Sequence, residues 1–213
     1  AGKDGYTKLG FLGGMAVPAV VRYGYGFVQG VDAAAADLGL TDVTVNYVYG
    51  GQFFGDADIT AVMDTWYAGG TEVVFACGGG IYTSAVDAAK KVGAKVIGVD
   101  VDQAGVIAGY AGVEGMTVTS AMKGLSDAAE WAIAKVYDGT FSEIGGVKTA
   151  LGVTENAVGL PTATWSMENF SVADYEDLFQ KVLNGNITID NNDKMADPST
   201  AGLSNVNVNY IGG

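Results

Sequence analysis

Two carboxylates close an otherwise apolar run in the stretch AKVIGVDVDQAG, residues 94–105. Val96, Ile97 and Val99 have the make-up of a strand buried on both faces, and Asp100 stands at its end. A carboxylate leaving a buried strand is costly unless it is paired or hydrogen-bonded. One carboxylate can accept from two vicinal hydroxyls at once, the arrangement carried by a ribose or a hexose. The alternative is that the side chain caps a nearby turn, as Asp commonly does. The ligand reading is the stronger for Asp100. The capping reading is the stronger for Asp102.

Other candidates sit at comparable places. Gly78, Gly79 and Gly80 end the apolar run EVVFAC, where bare backbone either lets a ligand approach or makes a tight turn with positive φ. The run is no phosphate fingerprint, because GGGIYTSA lacks the Lys-Ser/Thr pair of a P-loop and neither glycine run matches G-x-G-x-x-G. Phe75, at the lip of that strand, and Tyr82, just inside the next helix, could stack on a flat ligand, although most aromatics at such spacings are core. Met15, Tyr23, Phe53, Phe54 and Trp165 are weaker candidates. Lys123 falls at the start of an expected helix, where its charge opposes the helix dipole and asks for a partner.

Several chemistries are disfavoured. The chain has no histidine, and with it go the usual general base, the commonest metal ligand and every imidazole triad. No nucleophile–base pair accompanies Asp100 and Asp102, while DVDQAG lacks the further ligands of a calcium loop. The single Cys77 reads as a small apolar filler. A net charge of −13, from 11 basic and 24 acidic residues, repels nucleic acid and an anionic membrane surface alike. The apolar runs are too short to span a bilayer, and AGKDGYTK has no signal-peptide layout.

The elements that position these residues follow from periodicity. With 213 residues, 49% of them apolar, the chain can bury a core without staples. Strands are predicted over 7–14, 43–49, 72–77 and 95–100. Helices are predicted between them, over 18–38, over DADITAVMDTWYAGG and over 82–93. Doubly apolar strands alternating with helices call for an α/β fold, a doubly wound parallel sheet with right-handed crossovers. A loop to Gly115, a short strand MTVTSA, a long helix from Met122 to Tyr137 and strand-like VKTALGV and NAVGL follow. A last helix opens at Ser171 and buries Tyr175, Leu178, Phe179, Val182 and Leu183, and 190–213 reads as an irregular tail. Ligands in such sheets bind beyond the carboxyl ends of the strands where strand order reverses. For the common order 2-1-3-4, that crevice gathers GGMAVP, CGGGIY and GVDVDQ.

The segments KLGFLGGMAVPAVVRYGYGFVQGV, GGTEVVFACGGGIYTSAVDAAKKVGAKVIGVDVDQ, TVTSAMKG and LGVTENAVGL, in that order, resemble the basic membrane protein family of substrate-binding lipoproteins, which includes receptors of the purine nucleoside receptor A type. The resemblance runs from about Lys8 to Ile189. It implies a periplasmic-binding-protein-like fold whose two lobes close over a nucleoside, with no cofactor. Carried over residue by residue, it implies that Asp100 takes the ribose diol and Lys123 a ribose oxygen. Gly80, or Gly79 since CGGGI replaces the family's AGGTG-like turn, offers backbone, Phe75 stacks on the base, and Met15 of GGM-x-x-P is a further ligand-binding candidate. It also implies that 1–120 is the second lobe, that 121–189 belongs partly to a first lobe mostly missing here, and that 190–213 is a tail. An apolar face left exposed, and dimerisation through it, are then expected.

The leading expectation is a non-enzymatic, extracytoplasmic binding protein, membrane-anchored as a lipoprotein or periplasmic, that hands a nucleoside to an ABC permease. A sugar in place of the nucleoside, or the effector domain of a transcription regulator, is the alternative. A Rossmann-type enzyme comes third, disfavoured by the missing histidine and dinucleotide fingerprint.

Overall fold

A computed structural model describes residues 2–212; Ala1 and Gly213, the outer ends of two ranges read above, lie outside the described residues. Apolar stretches at Lys8–Gly13 (β1), Val73–Cys77 (β3) and Lys95–Asp100 (β4) form the interior of one sheet, and every residue of β3 is buried. Thr44–Tyr49 (β2) alternates half-buried and buried positions, as expected nearer an edge. Thr117–Lys123 (β5), the two-residue Val158–Gly159 (β6) and Asn207–Tyr210 (β7) complete the order β6-β5-β4-β3-β1-β2-β7. All pairs are parallel except β5–β6. The expected 2-1-3-4 core is present, so strand order reverses between β1 and β3.

The two faces carry separate cores. On one, Phe11, Tyr47, Phe75 and Val99 meet Val21, Tyr25 and Val28 of Pro18–Leu38 (α1). On the other, Leu12, Val74 and Val96 meet Ala57–Ala68 (α2), Tyr82–Val92 (α3) and Ala104–Ala111 (α4) through Met63, Trp66, Val86 and Ile107. Local signals fix the ends. Pro18 opens α1, where its missing N–H is no loss, and Asp56 caps α2 by accepting from the Ile59 N–H at 2.8 Å.

Five expectations need correction. The stretch to Gly115 is not a loop but contains α4, whose 3.6-residue pattern is hidden by its nearly uniform apolarity. Lys123 ends a strand rather than opening a helix; Leu125–Tyr137 (α5) begins two residues later, so the dipole argument does not apply to it. VKTALGV forms no strand. The tail is not wholly irregular, because β7 adds to β2, and Asp32 of α1 anchors the approach by accepting from the Ser204 and Asn205 N–H groups. The stripe on Val172–Leu183 (α6) is not buried: that helix, although opened by a full Ser171–Asp174 capping box, buries no residue.

Neither does α5. Ile133, Val136, Tyr137, Phe141 and Val147, on α5 and just after it, stay about half exposed or more. An apolar face of this kind was expected in 121–189.

Candidate functional site

Beyond the carboxyl ends of β1, β2 and β3 the backbone is stitched into a floor. Gly14 N–H donates to the Cys77 carbonyl at 2.9 Å and Gly51 N–H to that of Gly14 at 2.9 Å. Gly80 N–H donates to the Phe53 carbonyl at 2.8 Å. The Phe53 ring lies flat enough on this floor that a side chain at Gly14 would run into it. The floor and the first turns of α1 enclose a hollow of about 240 Å³ lined by Tyr23, Phe53, Cys77, Gly78, Gly79, Val99, Asp100 and Lys123. This is the crevice that strand order predicts.

Asp100 and Lys123 close one side of it. Nζ of Lys123 lies 2.7 Å from Oδ1 of Asp100, with each side chain about one-third exposed (36% and 34%). The approach is outside hydrogen-bond geometry, so Oδ1 is buried and neutralised yet has no donor aligned on it. Lys123 also sits 5.9 Å above the centre of the Tyr23 ring, whose hydroxyl donates to the Met122 carbonyl at 3.0 Å. On the far side of the ion pair opens a wider hollow of about 670 Å³, bordered by the start of α5, β6 and α6. The pair is therefore a partition that both hollows touch.

Both charged side chains arrive through breaks in strand regularity. Between β4 and β5 the register slips, Val96 facing Thr117 but Ile97 facing Thr119, so β5 carries an extra residue at Val118. This bulge re-phases β5 and sets Ala121 and Lys123 on the α1 side, with Val99. In β4, Asp100 has φ of 69° and Val101 N–H donates back to the Val99 carbonyl at 2.8 Å, a γ-turn with a left-handed centre. Alternation alone would send Asp100 with Val96 and Gly98 to the opposite face. Such strain concentrates at functional positions.

The other candidates fare differently. Gly79, with φ of 51°, lines the hollow. Gly80 does not offer free backbone: its N–H is bound to Phe53 and its carbonyl accepts from Thr83. Phe75 is not at the lip. It lies two residues short of the end of β3, is 3% exposed, and packs against Phe11 and Phe27 at 5.5 Å each, so no ligand can stack on it. Met15 is 39% exposed in the β1–α1 loop and does not line the hollow. Tyr82 packs on Tyr110 at 6.1 Å on the opposite face. Asp102 follows the capping alternative, accepting from Ala104 N–H at 3.1 Å and from the Thr164 hydroxyl at 2.7 Å.

Besides Tyr23, the aromatic that faces the hollow is Phe53, 36% exposed, with Phe54 beside it at 61%. The signal was GGQFFGD at the end of β2, two adjacent aromatics between glycines. Burial, reinforced by Asp100 and opposed by Lys123, pushes the Cys77 thiol up, which leaves it a protonated filler. Burial likewise pushes up the Tyr23 hydroxyl, with smaller contributions from Cys77 and Asp100, and keeps it a donor. The assembly offers an ammonium, a part-exposed carboxylate, backbone at Gly79 and an aromatic surface. Among the described residues no three His, Cys, Asp or Glu side chains cluster to hold a metal ion, and no helix is long and apolar enough to cross a membrane.

Residues 5–193 match the family described as ABC transporter substrate-binding protein PnrA-like. The chain is 30% identical over 194 residues to a CD4+ T-cell-stimulating antigen of Listeria monocytogenes, covering 86% of this chain and 52% of the relative. It is 31% identical over 105 residues to the ABC transporter nucleoside-binding protein BmpA of Lactococcus lactis, covering 46% of this chain and 28% of the relative. Among solved structures, a solute-binding protein of an ABC transporter system from Aeropyrum pernix superposes with a TM-score of 0.67 at 20% identity, over 92% of this chain and 61% of the other. The chain thus spans about half the length of its Listeria relative.

Proposed function

Because this chain belongs to the PnrA-like family of ABC transporter substrate-binding proteins, we propose that it carries the ribose-gripping lobe of a receptor that binds a nucleoside, without catalysis, and delivers it to an ABC permease. The observation that carries this reading is the Asp100–Lys123 pair: a carboxylate and an ammonium 2.7 Å apart, each about one-third exposed, lining the hollow at the switch point of the sheet. In this reading vicinal ribose hydroxyls donate to the exposed part of the Asp100 carboxylate and accept from Lys123. Phe53 offers the adjoining aromatic surface for a base, in the place first given to Phe75. Similarity to the nucleoside-binding protein BmpA of Lactococcus lactis supports the same ligand class.

In this reading 1–120, joined by β7 from the tail, is one lobe, and 121–189 contributes to another. The apolar side chains exposed on α5 then meet that other lobe in the full-length protein, or a second copy when this chain is alone. The protein works outside the cytoplasm, held at the membrane as a lipoprotein or free in a periplasm. Calorimetry of the full-length protein against inosine, guanosine, adenosine, free ribose and hexoses tests the proposal. Heat with nucleosides and none with sugars is expected; heat with sugars alone, or with nothing, overturns it.

A further inference from the structure

The two site residues are placed by irregular backbone, and irregular backbone needs something to hold it. Gln103, 7% exposed, does not face solvent or the hollow. Its side-chain carbonyl accepts from the Val99 N–H at 2.9 Å, the residue before the left-handed Asp100. Its own N–H donates to the Ser120 hydroxyl at 3.0 Å, on β5 just after the bulge that re-phases Lys123. Gly98 leaves the room this needs, since a Cβ there would stand 2.7 Å from the Ser120 hydroxyl and 2.8 Å from the Gln103 oxygen. The side-chain carbonyl and the backbone N–H of this one buried residue thus tie the γ-turn of β4 to the re-phased end of β5.

We infer that Gln103, fastened to Ser120, is a positioning residue. It holds Asp100 in its left-handed turn so that the carboxylate faces Lys123 instead of following strand alternation to the opposite face. Without it, the buried Val99 N–H loses its acceptor and the turn loses the bond that offsets its strain. The functional consequence rests on the nucleoside reading above; the geometric one does not.

The test compares Gln103→Met, which keeps length but removes the acceptor, and Ser120→Ala, in the full-length protein. Two readouts are taken: the Asp100 φ in a crystal structure of each folded variant, and the ratio of affinities for inosine and 2′-deoxyinosine. We expect Asp100 to relax to negative φ in Gln103→Met, and the preference for the ribonucleoside to fall at least tenfold in both variants. A destabilised but correctly shaped site would keep the wild-type ratio. Positive φ at Asp100 with an unchanged ratio overturns the inference, as does positive φ at Asp100 in Gln103→Met alone. If the wild type binds no nucleoside, the ligand reading fails, and the φ readout still decides the role of Gln103.

Discussion

Replacing Asp100 by glycine and by alanine separates the backbone of the site from its charge. Both variants lose the ion pair with Lys123, which lies at 2.7 Å with each partner about one-third exposed. Such a pair is worth about 1 kcal/mol or less, and the loss cancels in the comparison. What remains is the backbone. At an ordinary strand position alanine is the more stable by about 0.5–1 kcal/mol, because glycine loses more freedom on folding. At φ of 69° the Cβ meets the following carbonyl, costing alanine roughly 1–2 kcal/mol, and glycine nothing. The two effects oppose each other, and the steric one is larger, so Asp100→Gly should be more stable than Asp100→Ala by up to about 1.5 kcal/mol. Urea unfolding at matched m-values measures this difference. The sign is the test: alanine more stable than glycine means that Asp100 is not left-handed and that the γ-turn account of its placement is wrong.

Other outcomes follow from the same geometry. Phe53→Ala should leave the fold intact and weaken nucleoside binding about tenfold, whereas Phe75→Ala should cost about 3–5 kcal/mol of stability. Denaturant titration and calorimetry on both variants distinguish the site aromatic from the core one. Cys77, whose thiol burial pushes up, should resist iodoacetamide at about pH 8 in the native chain and react once the chain is unfolded in urea. The Lys148 hydrogen bond, assisted by Arg22, holds the Asp193 carboxyl below its ordinary 3.8. The stability it contributes is therefore complete above that value and lost as pH falls through the depressed one. Asp193→Asn should flatten the decline in melting temperature between about pH 5 and 2, and an unchanged decline refutes the role of that contact.

How far these features were legible in the sequence depended on whether they obeyed a period. Strands β1 to β4 and the helices α1 to α3 follow from apolar runs and 3.6-residue spacing, whereas the 2-1-3-4 order, and the crevice with it, rested on that order being the common one. The helix α4 escaped because AGVIAGYA is apolar nearly all round and shows no stripe. The tail strand β7 escaped because NVNY, set among Asn, Gly and Ser, gains its strand character from pairing with β2. At the site, Asp100 was found because a charge after a buried strand violates a rule. The turn that aims it left no trace in the alternation, and the bulge at Val118 was equally silent. Phe75 was placed at the lip although the strand was expected to run to residue 77; two residues short of its end, the ring sinks into the core. Phe53 lay in a glycine-rich loop whose path only the Gly14, Gly78 and Gly80 contacts define.

The most direct measurement is a crystal structure of the full-length protein soaked or grown with inosine. The account predicts the ribose 2′- and 3′-hydroxyls within hydrogen-bond distance of the Asp100 carboxylate, Lys123 Nζ on a ribose oxygen and the base against Phe53. A ligand seated elsewhere, or a ribose turned away with Asp100 still bound only to Lys123, would contradict it.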